Sequence, residues 1–553
     1  MKKIISYLLL ACVLIVVVIG SVKAWGIFES KFPNFFVSNK IEKEVKQEVL
    51  AVYDPGGGIP VVPQHYRLQI KSYSDWQLDK NELKDAPAEQ PVLLTVEIWG
   101  HRVLDSIAGG NYNEELVAML KPLAHRQDLL LRFNPEMEIP QNDNAWSNWG
   151  EIYNHAFLKF SETARRILPE AKIVWGPAGA LGNMEYFPGK DNFEVASISL
   201  DKKDKTDLFL ENKELSELLE RKLSRMRFLD TPIIILGQRR ASQAVKNEVF
   251  EEAFRKYEEV KRFTNLDDLQ PKAKIERKTT PGIGLYDPQK LLVNNDAVSI
   301  EHIFIGLDDI QDGSFKKQFL DILSRKHDVI ITVEPVNLKD NPVEPNVLKG
   351  IINGNFDELL QKFYQLIPED GPVVYLRFAH EMEVPVDRYP WQKQDPSLYI
   401  KAFRYFMKFP GSEKSNIKKV WAPAGDRGSV EWWPGSDVVD FISMSIYGLP
   451  DKNITDYKEQ DSFGKIYLRK RRRLDLFGKP FLIAEFGVTG HEEYQKRWML
   501  DAAEVINKHK EIFGVNYFNY QDLPNAWGEI EPPDWSIKKE VFEEFTGAVS
   551  NQP

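Results

Sequence analysis

The stretch PVVYLRFAHEM, from Pro372 to Met382, is a short apolar run that ends in a histidine and a glutamate. Seven further runs of this kind occur in the second half of the chain, separated by segments whose apolar residues fall at helical spacing. The eight runs span residues 282–288, 299–308, 328–336, 372–382, 418–425, 438–448, 479–487 and 513–522. Continuous apolar strands that alternate with helices are typical of a buried parallel sheet. Eight such units in about 270 residues favour a closed (β/α)8 barrel over an open sheet.

The same motifs occur a second time, about 245 residues nearer the N-terminus. LRFNPEMEIP (Leu131 to Pro140) matches LRFAHEMEVP (Leu376 to Pro385), and KIVWGPAGALGNMEYFPG (172–189) matches KKVWAPAGDRGSVEWWPG (418–435). The first copy opens with AVYDPGG (51–57) as its expected first strand. It lacks a clear eighth run, for which AKIERK (273–278) is a weak candidate. A repeat of this length indicates duplicated domains. We therefore predict an α/β protein with two tandem (β/α)8 TIM-barrel domains, the first complete or slightly truncated.

The predicted organisation begins with an N-terminal hydrophobic segment. Residues 1–24 are predicted to be a signal peptide or membrane anchor, 25–49 a spacer, 50–272 a degenerate (β/α)8-like barrel, and 273–553 the catalytic (β/α)8 barrel. Two lysines precede an apolar stretch from Ile4 to Val22, a length that suits either a secretory signal or an uncleaved membrane anchor. Positive charge before that stretch predicts that the rest of the chain is extracytoplasmic in both cases.

The charge and the cysteine content of the chain limit its partners and its covalent cross-links. The formal net charge of −10 argues against nucleic acid as a partner. Cys12 is the only cysteine in the sequence, so an intrachain disulfide cannot form. RKRRR (469–473) is the one concentrated positive run, and we interpret it as the solvated face of a helix. Aromatic residues make up 12% of the chain, which fits ordinary packing as well as platforms for stacked sugar rings.

Two carboxylates end strands of the second copy. Glu381 follows the fourth apolar run and Glu485 follows FLIA in the seventh. Active sites of such barrels lie at the C-terminal ends of the strands, and strands four and seven lie across the barrel from each other. Paired carboxylates hydrolyse glycosidic bonds, with retention of configuration when they are about 5–5.5 Å apart. The alternative is that each glutamate makes a salt bridge at the barrel rim.

Three neighbours of this pair are candidate site residues. His380 is placed to hydrogen-bond a substrate or a carboxylate, or else to pack in the core. Arg377 shares a strand face with Glu381, where it lowers the pKa of a nearby carboxylate or forms a structural ion pair. Tyr447 ends the sixth strand, where its phenol is placed to hydrogen-bond the nucleophile.

LRFAHEM followed by RYPW (Arg388 to Trp391) resembles the acid/base region of glycoside hydrolase family 26. VWAPAG and KPFLIAEFG resemble later motifs of that family, and the resemblance covers roughly residues 282–527. The family contains β-mannanases, mixed-linkage β-glucanases and β-1,3-xylanases on the (β/α)8 fold. The resemblance implies Glu381 as acid/base, Glu485 as nucleophile, His380 and Tyr447 as supporting residues, and no metal or other cofactor.

The resemblance also suggests where the substrate lies. Trp527, in LPNAWG, corresponds to the aromatic residue that floors the subsite of the cleaved sugar. One departure is Glu383, where the family commonly has Asn or Asp; this third carboxylate either perturbs the acid's pKa or faces outward. The predicted substrate-binding residues are Arg377, His380, Trp391, Tyr447 and Trp527.

The first copy cannot carry out the same reaction. It keeps Glu136 but has Pro135 in place of His380, Gly237 in place of Glu485 and Asp201 in place of Tyr447. Without a nucleophile, double displacement is not available. This copy therefore either binds glycan through tryptophans, Trp175 among them, or only supports the active barrel.

The sequence thus predicts a secreted or membrane-anchored retaining endo-β-glycanase that acts on β-1,4-mannan or mixed-linkage β-glucan. A glycan-binding accessory protein without catalytic activity is the alternative. Endo versus exo action, hydrolysis versus transglycosylation and oligomeric state stay open.

Overall fold

The computed structural model describes residues 47–70, 90–99, 101–140, 150–201, 207, 213–238, 247–262, 264, 275–336, 346–384, 388–392, 394–449, 461–524, 526–527 and 531–550. The N-terminal apolar stretch, Cys12 and most of the predicted spacer lie outside these residues. Among the helices that are described, none combines the length and hydropathy of a membrane span.

The first half of the chain forms an open sheet with helices beside it. Its strands are β1 (Glu48–Tyr53), β2 (Gln64–Ile70), β3 (Val92–Ile98), β4 (Leu129–Phe133), β5 (Lys172–Trp175), β6 (Val195–Ser199) and β7 (Ile233–Gly237). Its α-helices are α1 (His101–Ala108), α2 (Asn113–Leu120), α3 (Gly150–Ile167), α4 (Leu215–Ser224) and α5 (Asn247–Lys261). The strand order is β1-β7-β6-β5-β4-β3-β2, with β2 to β7 all parallel.

A complete barrel is not confirmed for the described part of this half, whose seven strands fit the predicted alternative of a truncated repeat. The expected first strand lies in β1, but β1 runs antiparallel to β7, with Glu48 opposite Gly237 and Tyr53 opposite Ile233. Residues 275–278, the described part of AKIERK, form no strand. Since no apolar run follows α5, β1 instead covers the edge of β7 where an eighth parallel strand would close a barrel. An apolar run predicts a strand but not its direction.

The second half forms a closed barrel, as predicted. Its strands are β8 (Gly282–Tyr286), β9 (Ile300–Gly306), β10 (Asp328–Glu334), β11 (Val374–Phe378), β12 (Ile417–Trp421), β13 (Phe441–Gly448), β14 (Phe481–Val488) and β15 (Ile512–Phe518). All neighbouring pairs are parallel, and β15 pairs with β8 to close the ring. Each of the eight predicted runs overlaps one of these strands, and all eight residues of β14 are buried because both faces are covered.

Helices surround this barrel. They are α6 (Leu307–Asp312), α7 (Ser314–Arg325), α8 (Val347–Ile352), α9 (Asp357–Leu366), α10 (Pro396–Met407), α11 (Phe463–Leu474), α12 (Glu492–Lys508) and α13 (Lys539–Ser550). The basic run 469–473 lies in α11, but it is not simply a solvated face. Lys470 and Arg473 are buried, and the Lys470 ammonium donates to the carbonyls of Ala424 and Ser445, each at 2.9 Å.

The change from the first half to the second falls between Lys261, the last residue of α5, and Gly282, the first of β8. The domain limits given above remain predictions. The closed barrel brings the C-terminal ends of β11, β13 and β14 to one face, where Glu381, Tyr447 and Glu485 lie.

Candidate active site

Glu381 lies just beyond β11, in a turn whose backbone is left-handed. Its φ is +51°, and that of Ala379 is +48°, a region that non-glycine residues seldom adopt. The turn is held by the Glu381 N–H, which donates to the carbonyl of Ala422 at 2.8 Å, and by Gln392, which donates to the Glu381 carbonyl at 3.1 Å. The carboxylate accepts a 2.5 Å hydrogen bond from the hydroxyl of Ser445. Backbone and side chain of Glu381 are therefore fixed independently.

Glu485 lies within β14, and Ser445 is its register partner on the neighbouring strand β13. Its Oε1 is 2.8 Å from Nη2 of Arg377, and its Oε2 accepts a 3.0 Å hydrogen bond from the hydroxyl of Tyr447. Ser445 thus pairs with one carboxylate through its strand register and with the other through its hydroxyl. The structure brings together the two glutamates that lie about 100 residues apart in the sequence.

The surroundings push the pKa values of the two carboxylates in opposite directions. Burial, followed by the charge of Glu485, raises the pKa of Glu381 to about 7. Burial alone would also raise the pKa of Glu485, but the charge of Arg377 and the other groups around the carboxylate together outweigh it and lower that pKa to about 2. At neutral pH Glu485 is therefore ionised, whereas Glu381 is near the midpoint of its titration.

A buried hydrogen-bond network holds Arg377 in place. Its Nη1 donates to the Thr332 hydroxyl at 2.9 Å, and that hydroxyl lies 2.7 Å from Nε2 of His302. The amide of Asn516 lies 3.2 Å from Nδ1 of the same histidine and donates to the Ala484 carbonyl, next to Glu485, at 3.0 Å. Burial lowers the pKa of His302 well below its ordinary value, so the ring is neutral. The network reaches Glu485 directly through Arg377 and reaches the carbonyl of the preceding residue through Asn516 on β15.

His380 is buried beside the pair. Burial lowers its pKa to about 3, so the ring is a neutral donor and acceptor at neutral pH. No described protein group makes a hydrogen bond to its Nδ1. Its predicted role in substrate binding stays a prediction.

Trp391 does not present a face to a ligand. It is completely buried, its indole N–H donates to the His380 carbonyl at 2.8 Å, and its ring stacks on that of Tyr389 with 4.3 Å between centroids. The prediction of direct substrate contact needs correction, because the buried Trp391 instead contacts the backbone of His380. Motif position locates a residue on a loop, but it does not tell which of two adjacent rings is covered by the other.

Trp527 is half-buried beside Tyr447, whose ring it meets at 90° with centroids 5.4 Å apart. Its indole N–H donates to Oδ2 of Asp522 at 2.7 Å, and the indole of Trp535 donates to the same oxygen at 2.7 Å. Arg388 lies 3.9 Å from the other oxygen of Asp522. This position fits the predicted platform for a sugar ring, which stays a prediction.

Three residues of the site were not predicted from the sequence. Ser445 was detectable in principle, because Ser443, Ser445 and Tyr447 alternate along an otherwise apolar strand. Glu334 ends β10, and burial raises its pKa. Asp522 follows β15 closely, in the same position at a strand end that singled out the other acids. Among the described residues, no three His, Cys, Asp or Glu side chains form a group that could hold a metal ion.

Glu383 has a structural position. It is buried and accepts hydrogen bonds from the Gly425 N–H at 2.9 Å and from the Ser429 hydroxyl at 2.7 Å. The equivalent Glu138 of the first half accepts from the Ala180 N–H at 3.0 Å. Both glutamates hold the loop that follows the fifth strand of their repeat, although Glu383 also contributes to the raised pKa of Glu381.

The equivalent place in the first half, here called the relic site, is filled by the chain itself. The Gln47 side chain donates to Glu136 at 3.0 Å and to Asp201 at 2.9 Å. At Gly237, where the second half has Glu485, a Cβ atom would lie 2.6 Å from Cδ1 of Leu50. β1 therefore occupies the space in which a nucleophile would stand. Trp175 is fully buried and cannot serve as a glycan platform.

Comparison with known proteins points to enzymes that cleave glycans. No protein-family profile matches the chain. A β-1,3-xylanase from Alcaligenes sp. is 26% identical over 170 residues, which cover 30% of this chain and 32% of that protein. β-1,3-Xylanase TXYA from Vibrio sp. is 31% identical over 182 residues, 31% of this chain and 35% of that protein. The chain thus matches about a third of the length of these relatives, and family 26 membership is not shown.

Solved structures give only low similarity. A GH5_18 protein from Streptomyces cattleya in complex with GlcNAc has a TM-score of 0.37 and 13% identity, covering 50% of this chain and 82% of that one. The endo-1,4-β-mannanase from Rhizomucor miehei has a TM-score of 0.34 and 10% identity, covering 51% of this chain and 96% of that one.

Proposed function

We propose that the closed barrel is a retaining β-glycoside hydrolase in which Glu485 is the nucleophile and Glu381 the acid/base. The observation that carries the proposal is the pairing of a carboxylate ionised by Arg377 with a second carboxyl group of raised pKa, linked through Ser445. Opposite shifts of two nearby acids are the usual way in which one fold supplies an acid and a nucleophile at the same pH.

Each residue has a definite task in the two steps. The Glu485 carboxylate attacks the anomeric carbon while the bond to the leaving oxygen breaks, and that oxygen takes the proton of Glu381. The resulting Glu381 carboxylate then removes a proton from water, which attacks the anomeric carbon and releases Glu485. The Tyr447 hydroxyl and Arg377 hold the two oxygens of Glu485, so its trajectory is set before substrate binds.

The substrate class is a β-linked polysaccharide cut internally. β-1,4-Mannan and mixed-linkage β-glucan follow from the sequence motifs. β-1,3-Xylan is a third candidate substrate, because both relatives are named β-1,3-xylanases. Trp527 is the proposed sugar platform, with His380 as a hydrogen-bonding partner. The proposed setting is extracytoplasmic, with the N-terminal segment as a membrane contact if it is not removed.

The test is a panel of β-1,3-xylan, β-mannan, lichenan, β-1,4-xylan and cellulose, with product sizes and the anomer of the first product followed by NMR. We expect one polymer to be shortened with retention, and Glu381→Ala and Glu485→Ala each to abolish the reaction. Inverted product, or full activity in either variant, would reject the assignment. Binding of a polymer with no shortening would instead favour a glycan-binding accessory protein.

A further inference from the structure

The two halves of the chain pack through equivalent segments, in an arrangement that repeats itself. Glu431 of the second half pairs with Arg221 at 2.5 Å and with Arg225 at 3.2 Å in α4 of the first half. In the reverse sense, Glu185 of the first half pairs with Arg473 of the second at 3.2 Å. Residue i meeting j, and j meeting i, is the signature of a two-fold interface, here built within one chain.

The equivalence extends to the backbone. Nη1 of Arg225 donates to the Gly179 carbonyl at 3.3 Å, and Nη1 of Arg473 donates to the Gly425 carbonyl at 3.2 Å. Each arginine thus ties the loop after the fifth strand of its own repeat to the other repeat. We call residues 425–431 of the second half the bracing loop.

The bracing loop is in direct contact with the acid/base turn. Ser429, in the same 3-10 turn as Glu431, donates its hydroxyl to Glu383 at 2.7 Å, and the Gly425 N–H donates to the same carboxylate oxygen at 2.9 Å. Glu383 stands only two residues after Glu381, and Met382 between them is fully buried. Movement of the bracing loop is therefore transmitted to Glu381 through a single buried carboxylate.

The first half holds the outer side of the same loop. The Arg427 guanidinium donates to the carbonyl of Glu138. Leu181 packs so closely on Gly428 that a Cβ atom there would overlap it. Arg225 is itself held by Asp207 at 2.7 Å, with both side chains almost fully buried. The bracing loop is thus clamped between Glu383 on the inside and the first half on the outside.

We propose that the first half acts as a brace for acid catalysis, and that Arg225, Glu431 and Ser429 are positioning residues for Glu381. This inference rests on the proposed function of Glu381 as the acid/base. A proton donor must stand within about 2.6–3.2 Å of the leaving oxygen, and a misplacement of about 1 Å lowers a rate about a hundredfold. The first half thereby retains a part in the reaction although its own site is filled.

The test variant is Glu431→Gln, and its control is Glu151→Gln. Both remove one carboxylate that pairs with an arginine of the other half, but Glu151 pairs with Arg472 at 4.0 Å, outside the bracing loop. Each protein is assayed as the full chain on a natural oligosaccharide and on the 2,4-dinitrophenyl glycoside of the same sugar. The dinitrophenolate leaves without a proton, whereas the sugar alcohol needs one, so the two substrates separate acid catalysis from folding.

For Glu431→Gln we expect kcat/KM on the oligosaccharide to fall at least about tenfold and kcat/KM on the dinitrophenyl glycoside to change less than about twofold. Added azide should raise kcat on the dinitrophenyl glycoside, because azide attacks the glycosyl-enzyme without a general base. Glu151→Gln should retain the wild-type ratio between the two substrates. If Glu431→Gln fails to fold, Ser429→Ala takes its place, since it keeps the ion pairs and removes the side-chain hydrogen bond from the bracing loop to Glu383.

An equal loss on both substrates, no loss at all, or the same selective loss in Glu151→Gln would overturn the inference. These results differ from failure of the proposed function. If the wild type hydrolyses neither substrate, both ideas fall. If the wild type is active and Glu381→Ala is selectively defective on the oligosaccharide, an unaffected Glu431→Gln rejects the brace alone.

Discussion

Nη2 of Arg377 lies 2.8 Å from Oε1 of Glu485, and both side chains are almost fully buried. Arg132, the equivalent arginine of the first half, has no such partner, because Gly237 stands where Glu485 would be, and it lies 3.8 Å from Glu136 instead. The equivalent buried arginine thus pairs with the candidate nucleophile Glu485 in the second half and lies near Glu136 in the first half.

Replacing Arg377 with methionine should raise the pKa of Glu485, since the largest charge that opposes the effect of burial would then be gone. The nucleophile is ionised only above that pKa, so the acidic limb of the kcat/KM–pH profile should move to higher pH. We expect kcat/KM at pH 6 to fall at least about a hundredfold, in line with loss of a buried charge partner. The matched variant Arg132→Met should leave the acidic limb where it is; an unmoved limb in Arg377→Met would contradict the assignment of Glu485.

The raised pKa of Glu381 predicts the basic limb. Catalysis needs the protonated acid, so kcat/KM should decline as pH rises through about 7. The hydrogen bond from Ser445 stabilises the carboxylate and lowers the Glu381 pKa. Ser445→Ala should therefore move the basic limb to higher pH, and a move to lower pH would show that Ser445 does not donate to this group.

Stability should respond to the same ionisation. The folded-state pKa of Glu381 lies above its ordinary value of 4.5, so the folded protein loses stability as pH rises from about 4.5 through about 7. Glu381→Gln has no such penalty, and its Tm at pH 8 should exceed that of the wild type by about 2 °C. Glu485 has a lowered pKa, so Glu485→Gln should have a lower Tm at pH 8, opposite in sign. Thermal scans at pH 4.5 and 8 decide between these outcomes.

Asp522 should matter for substrate affinity. Its one oxygen accepts from both Trp527 and Trp535, so Asp522→Ala frees the two rings. We expect KM for the polysaccharide to rise about tenfold with a smaller change in kcat, corresponding to about 1.4 kcal/mol. Trp391→Phe serves as comparison: it removes the buried hydrogen bond to His380 and should lower stability by about 1 kcal/mol with KM retained. Equal KM in Asp522→Ala and wild type would exclude Trp527 as a platform.

The relic site should make no contribution to hydrolysis. Glu136→Gln is expected to leave kcat/KM unchanged, whereas Glu381→Gln abolishes hydrolysis of unactivated substrates. Gly237→Glu places an acid at the position equivalent to Glu485. Its Cβ would collide with Leu50, so we expect a lower Tm, and we expect no hydrolysis when it is combined with Glu381→Gln. Recovery of hydrolysis in that double variant would show that the first half still binds substrate productively.

Much of the fold could be predicted because the barrel's strands are buried on both faces. Strands buried on both faces need continuous apolar runs such as that of β14, and an acidic residue at the end of such a run is easily recognised in the sequence. Glu381, Glu485, Arg377 and Tyr447 were found in this way, and the structure brings all four together.

The remainder depends on tertiary contacts that a local pattern does not contain. The direction of β1 is set by the unpaired edge of β7, far away in sequence. The burial of Trp391 is set by Tyr389, and the position of Glu383 is set by a loop about 45 residues further along. Arg473, in the basic run 469–473, was predicted to be solvated because its carboxylate partner, Glu185, belongs to the other repeat.

The unusual backbone at the acid/base turn has a counterpart that no longer needs it. Glu136 has φ +59° and Asn134 has φ +34°, close to the values at Glu381 and Ala379, although the first half has lost its nucleophile. Such conformations cost on the order of 1–3 kcal/mol each and persist only where the surroundings enforce them. The strained turn therefore belongs to the repeat itself, because the architecture bends the chain in this way both in the half that has Glu485 and in the half that has Gly237 at the equivalent position.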